Sequence, residues 1–164
     1  PALGILTVNA LTACQSVIIP SQADIYSIQG IEQLSETMKP VKKYCNPGLE
    51  IEGILLTRYS ARSVLSREVA DMLEELAAKL GTKLFKTKIR EAIAVKEAQI
   101  SQQSLFEYSP KAKPAEDYNA LIDELIGEGV NETQLEVSRA LAEYFLCVVI
   151  AVTCCDDTEI VLIE

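Results

Sequence analysis

Apolar residues crowd together between positions 51 and 56, where Ile51, Ile54, Leu55 and Leu56 are interrupted only by Glu52 and Gly53. A run without alternation predicts a strand buried on both faces of a parallel sheet. It gives way at once to Thr57-Arg58-Tyr59-Ser60-Ala61-Arg62, so the strand is expected over residues 53–59. Next comes an amphipathic helix with Leu65, Val69, Met72, Leu73, Leu76 and Leu80 on one face and Gly81 as its C-cap. Upstream, Leu6, Ala10 and Leu11 fall at helical spacing, and Val17-Ile18-Ile19-Pro20 reads as a short buried strand ended by its proline. A polar loop of Ser21 to Asp24 then leads into a helix carrying Ile25, Ile28, Ile31, Leu34 and Met38 on one face. Pro40 is expected to kink or restart that helix, and Asn46-Pro47-Gly48 to turn the chain.

Downstream of Gly81, residues 84–89 alternate enough to predict a third strand near a sheet edge, and a short helix is expected over residues 92–98. Residues 109–114 read as a loop. Tyr118, Leu121, Ile122, Leu125 and Ile126 then form another amphipathic face, stopped at Gly127 and Gly129. Beyond it, Asn131 and Gln134 resemble a capping box, with Leu135, Leu141, Tyr144 and Phe145 continuing a helical face. Cys147 to Val152 and Ile160 to Ile163 are apolar runs around Asp156-Asp157, the pattern of a β-hairpin or of one longer helix with a frayed tail. The alternation of strand and helix predicts an α/β fold with a parallel sheet flanked by helices. Two regions are expected, 1–127 and an acidic C-terminal extension, 128–164.

At 164 residues the chain suits one domain, and 49% hydrophobic with 5% aromatic content fits an aliphatic α/β core. No uninterrupted apolar stretch is long enough to span a bilayer, and the opening residues do not read as a signal peptide. The net charge of −9 is unevenly spread. Residues 1–113 are slightly basic, whereas Arg139 is the only cation after Lys113 and faces 12 acidic residues. A polyanion therefore has a possible approach only to the first region. Five cysteines without CxxC spacing, and no histidine, exclude the common zinc and Cys–His arrangements; no metal site is expected, and the thiols are read as buried and free. Asp24, Glu32 and Glu36 are the nearest thing to a carboxylate cluster, but Glu32 and Glu36 lie four apart on a polar helix face and read as solvated.

Several segments are collinear with motifs of one family. Pro1-Ala2-Leu3-Gly4-Ile5-Leu6-Thr7-Val8-Asn9-Ala10-Leu11 resembles the part of D-x-P-P-x-L-G-x-L-T-x-N-A-L downstream of its Walker B aspartate. Val17 to Pro20 with Gln22 resembles V-I-I-P-x-Q, and Ile51 to Thr57 resembles I-E-G-V-L-L-T. Phe85 to Ile89 with Glu97-Ala98 resembles the strand and loop bordering the adenine, and Tyr108-Ser109-Pro110-Lys111 with Ala115 to Tyr118 resembles the approach to the last helix. Together these resemble the C-terminal portion of the ParA/Soj partitioning ATPases, relatives of MinD, with residues 128–164 matching nothing in the family. The resemblance implies a partial P-loop NTPase-like sheet and a phosphate-binding half that would precede Pro1. Three features of the family pattern are missing from the sequence: the glycine-rich loop, the Walker B aspartate, and the proline and arginine whose places Arg90 and Glu91 take.

By the same resemblance, Thr57, Arg58, Ile89, Arg90 and Glu91 border the adenine of a nucleotide, and Pro1, Leu3 and Gly4 belong to the γ-phosphate switch. Arg62 falls where the family carries a DNA-binding arginine; the family's second basic position is Ala94 here, with Lys96 nearby as its substitute, and Lys86, Lys88 and Arg90 extend the cations there. No catalytic residue is assigned. ATP and Mg²⁺ serve the intact family, and this chain alone is expected to bind neither productively nor to hydrolyse ATP. Implied partners are nonspecific DNA, a ParB-like stimulating protein and a second copy in a homodimer, with a cytoplasmic, nucleoid-associated location and no membrane. The competing reading is a nonenzymatic remnant or interaction module that self-associates through its C-terminal segment and covers an exposed sheet edge.

Overall fold

The computed structural model describes residues 4–126 and 151–152. The elements run α1 (Ile5–Ala13), β1 (Ser16–Gln22), α2 (Ile25–Tyr44), β2 (Glu50–Tyr59), α3 (Val64–Leu80), β3 (Leu84–Arg90), α4 (Ile93–Ile100), α5 (Leu105–Tyr108), α6 (Lys113–Ile126) and β4 (Ala151–Val152). The sheet order is β3-β2-β1-β4. The first three strands are parallel, and β4 pairs antiparallel with Val17 and Ile18 of β1. Three parallel strands flanked by helices are the α/β architecture the apolar runs predict. The remaining residues of the expected C-terminal helix and hairpin lie outside the described residues.

Alternation along each strand divides the core in two. Val17, Ile19, Ile54 and Leu56 face Leu11, Ile31, Leu34, Met38, Val69, Leu73 and Leu76 from α1, α2 and α3. Ile18, Leu55, Phe85 and Ile89 face the other way, onto Leu121, Tyr118 and Leu125 of α6. Each central strand is thus apolar on both faces, which is why β2 reads as an unbroken run. Gly53 is required where β2 passes β3: a Cβ there would stand 2.5 Å from the Phe85 ring.

Several local expectations need correction. Pairing of β1 continues past Pro20, with Ser21 opposite Leu56 and Gln22 opposite Thr57. Beyond Ile18 no strand is paired on the outer side of β1 among the described residues, and a proline is tolerated in such an edge position. Helix α2 runs unbroken through Pro40, which lies exposed within the last turns. The helix α6 starts at Lys113, so Pro114 falls in its first turn, where a missing N–H costs nothing. Ser104 and Glu107 form a reciprocal capping box that starts the unpredicted α5. Of the described cysteines Cys14 is buried, but Cys45 is exposed. Leu6, Ile25, Leu65 and Met72, expected on buried helix faces, are exposed.

The outer side of β3 is closed by α6. Glu124 accepts hydrogen bonds from the backbone N–H groups of Lys86 and Thr87, both at 2.8 Å. Two turns earlier, Asp117 accepts from the Arg90 N–H at 3.0 Å and from its guanidinium through Nε at 2.8 Å and Nη2 at 2.5 Å. Carboxylates thus occupy the donors of a strand edge that would otherwise invite pairing. Burial acts to raise the Glu124 carboxyl, but the Lys86 and Thr87 donors and the nearby Lys83 outweigh it and hold the group below the usual carboxylate range. The Asp117 hydrogen bond raises Arg90 further above its ordinary value.

Candidate functional site

Three parallel strands end together, and the crevice beyond their carboxyl ends is where open α/β sheets hold ligands. Register brings Gln22 beside Thr57 and Tyr59 beside Arg90. The Thr57 hydroxyl donates to the Ser21 carbonyl across the β1–β2 pair at 3.3 Å. The next residue, Arg58, has φ +50°, a left-handed conformation that costs a non-glycine residue about 1–3 kcal/mol. Its neighbours hold it there. The guanidinium donates through Nη1 to Gln22 Oε1 at 3.4 Å and through Nη2 to Glu91 Oε1 at 3.0 Å, spanning from the end of β1 to the residue after β3. Lys96, on α4, brings its Nζ to 3.6 Å from the same Glu91 oxygen. Arg58, by hydrogen bond and charge, together with Lys96, holds Glu91 below the usual carboxylate range. Nearby, the Lys88 ammonium sits 4.6 Å from the centre of the Tyr59 ring, a cation–π contact.

The expected site residues therefore divide. Thr57, Arg58, Glu91 and Lys96 lie together at the strand ends. Ile89, although adjacent in sequence, turns its side chain into the core against α6. Arg90 directs its guanidinium to Asp117, away from Glu91. Arg62 lies exposed in the loop between β2 and α3 and forms no ion pair with the described residues. Gly4 is the residue before α1, with extended backbone (φ −94°, ψ −169°); Pro1 and Leu3 lie outside the described residues. The contact that site reading from sequence missed is Gln22 with Arg58. Its only signal is Gln22 standing two residues beyond Pro20, at the carboxyl end of a buried strand.

Asn46 fixes the opposite end, donating through Nδ2 to the carbonyls of Leu11 at 3.1 Å and of Cys14. The end of α1 is thereby tied to the turn before β2, so the start of β1 is set relative to β2. Among the described residues no three of His, Cys, Asp or Glu are grouped to hold a metal ion, and no helix is long and apolar enough to cross a membrane.

The AAA domain family matches residues 1–51. The sporulation initiation inhibitor protein Soj of Bacillus subtilis is 39% identical over 129 residues, covering 79% of this chain and 50% of that protein. The chromosome partitioning protein ParA of Myxococcus xanthus is 36% identical over 126 residues, covering 77% of this chain and 44% of that protein. Among solved structures, cobyrinic acid a,c-diamide synthase from Mycobacterium smegmatis superposes with a TM-score of 0.54 at 26% identity, covering 75% of this chain and 44% of that one. The chain spans about half the length of the curated relatives it matches. On this sequence identity the chain is a homologue of the Soj/ParA partitioning ATPases.

Proposed function

We propose that this chain supplies the base-side and DNA-facing portion of a ParA-type partitioning ATPase. The observation that carries the reading is the convergence of Gln22, Thr57, Arg58 and Glu91 at the carboxyl ends of β1, β2 and β3 in a Soj/ParA homologue. The Thr57 hydroxyl, the Arg58 guanidinium and the Glu91 carboxylate give that rim donors and an acceptor of the kind a purine edge takes up. Ile89 and Arg90 carry their side chains away from it, so their part in such a pocket is confined to backbone. ATP bound with Mg²⁺ supplies a phosphoanhydride whose hydrolysis drives partitioning cycles; residues 1–164 contain no G-x-x-x-x-G-K-[ST] loop to cradle its phosphates. Alone, the chain is therefore expected not to turn over ATP, and an EDTA-sensitive rate in the pure chain would overturn that.

Arg62 is the cation best placed for sequence-independent phosphate contact, being exposed and unpaired among the described residues. Nonspecific DNA, a ParB-like partner, a homodimer and a cytoplasmic, nucleoid-associated location belong to this reading. The test is duplex DNA binding by fluorescence anisotropy across a salt series. Arg62→Ala is expected to weaken binding uniformly across sequences and to flatten the salt slope by about 0.9; identical slopes for both proteins would remove Arg62 from the interface.

A second reading, an interaction module, is favoured by the pairing of Ala151–Val152 with β1. Covering a parallel-sheet edge with an antiparallel strand protects it from pairing with other chains. Val152→Pro removes a backbone donor from that strand and is expected to shift the chain to larger species in size-exclusion chromatography. An unchanged elution volume would count against the module.

A further inference from the structure

One oxygen of Glu91 serves two cations at once. Arg58 Nη2 lies 3.0 Å and Lys96 Nζ 3.6 Å from Oε1, and all three side chains are about half-exposed or more. Arg58 comes from the end of β2, Glu91 follows β3, and Lys96 is one turn into α4. The carboxylate thus ties three elements together at the rim of the sheet. Its one negative charge offsets one of the two positive charges of Arg58 and Lys96, while its oxygen engages both groups. Gln22 reinforces the arrangement by taking Arg58 Nη1 at 3.4 Å.

We infer that Glu91 is a charge gate on the carboxyl-end rim, holding Arg58 and Lys96 against itself and so setting how strongly this face binds phosphate polyanions. The inference rests on the DNA-facing reading of Arg62 and extends it to Arg58 and Lys96 in the chain when its base-side rim holds no nucleotide. A phosphate has the same chemistry as the carboxylate it displaces, since both offer oxygens to a guanidinium fork and an ammonium. The exchange of one anionic partner for another is cheap in solvent, because an exposed ion pair contributes little on its own. With Glu91 in place a DNA backbone must compete for both cations. With the charge removed, both become available as phosphate contacts alongside Arg62.

The test is Glu91→Gln in the full chain, which keeps the shape and one hydrogen-bond acceptor and removes the charge. Affinity for a duplex DNA is measured by anisotropy between low and moderate salt, beside the wild-type chain, Arg62→Ala and the double variant Glu91→Gln/Lys96→Gln. Two added phosphate contacts steepen the slope of log K against log salt by about 1.8, and binding at low salt is expected to tighten about tenfold. The double variant should lose about half of the added slope. Equal slopes and affinities for Glu91→Gln and wild type would overturn the gate, whether or not either binds. If Glu91→Gln tightens while Arg62→Ala changes nothing, the gate stands and the assignment of Arg62 falls. If Arg62→Ala weakens binding while Glu91→Gln changes nothing, the gate falls and the DNA-facing reading stands.

Discussion

Replacing Gly53 by alanine puts a methyl group where the Phe85 ring already sits. A Cβ on Gly53 would lie 2.5 Å from Cε2, 2.8 Å from Cζ and 3.0 Å from Cδ2 of that ring, whereas carbon atoms in contact settle about 3.5–4.0 Å apart. The ring would have to retreat by roughly 1 Å. It has little room to do so, because Phe85 is only 1% exposed and shares its cluster with Ile18, Leu55, Ile89 and Leu121. Overpacking of a filled core costs about 1–3 kcal/mol. Alanine recovers about 0.5–1 kcal/mol of that by restricting the unfolded chain, and the backbone at Gly53 does not need positive φ. The net expectation is a loss of about 1–2 kcal/mol, or about 2–8 °C in Tm for a domain of this size.

The chain has no tryptophan, so urea unfolding is best followed by far-UV circular dichroism. The clash involves one pair of groups, so a double-mutant cycle tests it. Phe85→Leu alone costs less than the ~3–5 kcal/mol of a full truncation to alanine. In its presence Gly53→Ala should become neutral or stabilising, giving a coupling of about 1–2 kcal/mol. Additive losses, or a Gly53→Ala midpoint equal to that of the wild type, would refute the steric reason for glycine at this position.

Glu124 ties stability to pH. Its carboxyl is held below the ordinary range by the Lys86 and Thr87 backbone donors, so its contribution is full above the unfolded pKa, near 4.3, and is lost as pH falls through the lower folded value. Glu124→Gln is expected to cost about 1 kcal/mol at neutral pH and to reduce the loss of stability on acidification below about pH 4. Hydrogen exchange at the Lys86 and Thr87 amides should rise with it, and unchanged protection would remove Glu124 from the edge of β3. Gly81 ends α3 in the left-handed conformation at φ +72°, with open space where a methyl group would stand. Gly81→Ala therefore costs only the backbone strain, about 1 kcal/mol, read as a drop in urea midpoint with no change in slope.

How much was legible depends on which forces act locally. The apolar run at Ile51, Ile54, Leu55 and Leu56 is readable because both faces of β2 are covered, and a strand covered on both faces leaves no alternate position for a polar side chain. The end of α3 is readable because only glycine reaches φ +72° without strain. The edge position of β3 is readable from Lys86 and Lys88, which a central strand would not carry. Asp117 is not readable in the same way. It sits on α6 among polar residues, yet it is 9% exposed, and only a partner 27 residues upstream, Arg90, explains it. The division of Ile89, Arg90 and Glu91 into core, clamp and site likewise depends on where α6 comes to rest, which no local pattern records. The start of α5 was within reach, since Ser104 and Glu107 have capping-box spacing.

Two of the departures, Ile25 and Leu65, share a location with other exposed apolar side chains, and that location has a physical reading. Ile25 and Tyr26 open α2, Val64 and Leu65 open α3, and Ile93 opens α4; all five are exposed large apolar side chains. Each of these helices begins just after a strand has ended, so these side chains belong to the carboxyl-end side of the sheet, the side that carries Arg58, Glu91, Lys96 and Arg62. A helix stripe predicts Ile25 and Leu65 as core because their spacing fits the buried residues further along. The sheet, however, stops short of the first turn, and nothing among the described residues covers them. Apolar side chains exposed singly are ordinary, whereas a concentration of them marks a surface that meets a partner. Local rules are broken where function needs them broken. At this end of the molecule the left-handed Arg58, its pairing with the shared Glu91 carboxylate and the uncovered first turns occur together. The core built from Leu56, Leu73, Phe85 and Leu121, each buried, has none of these features.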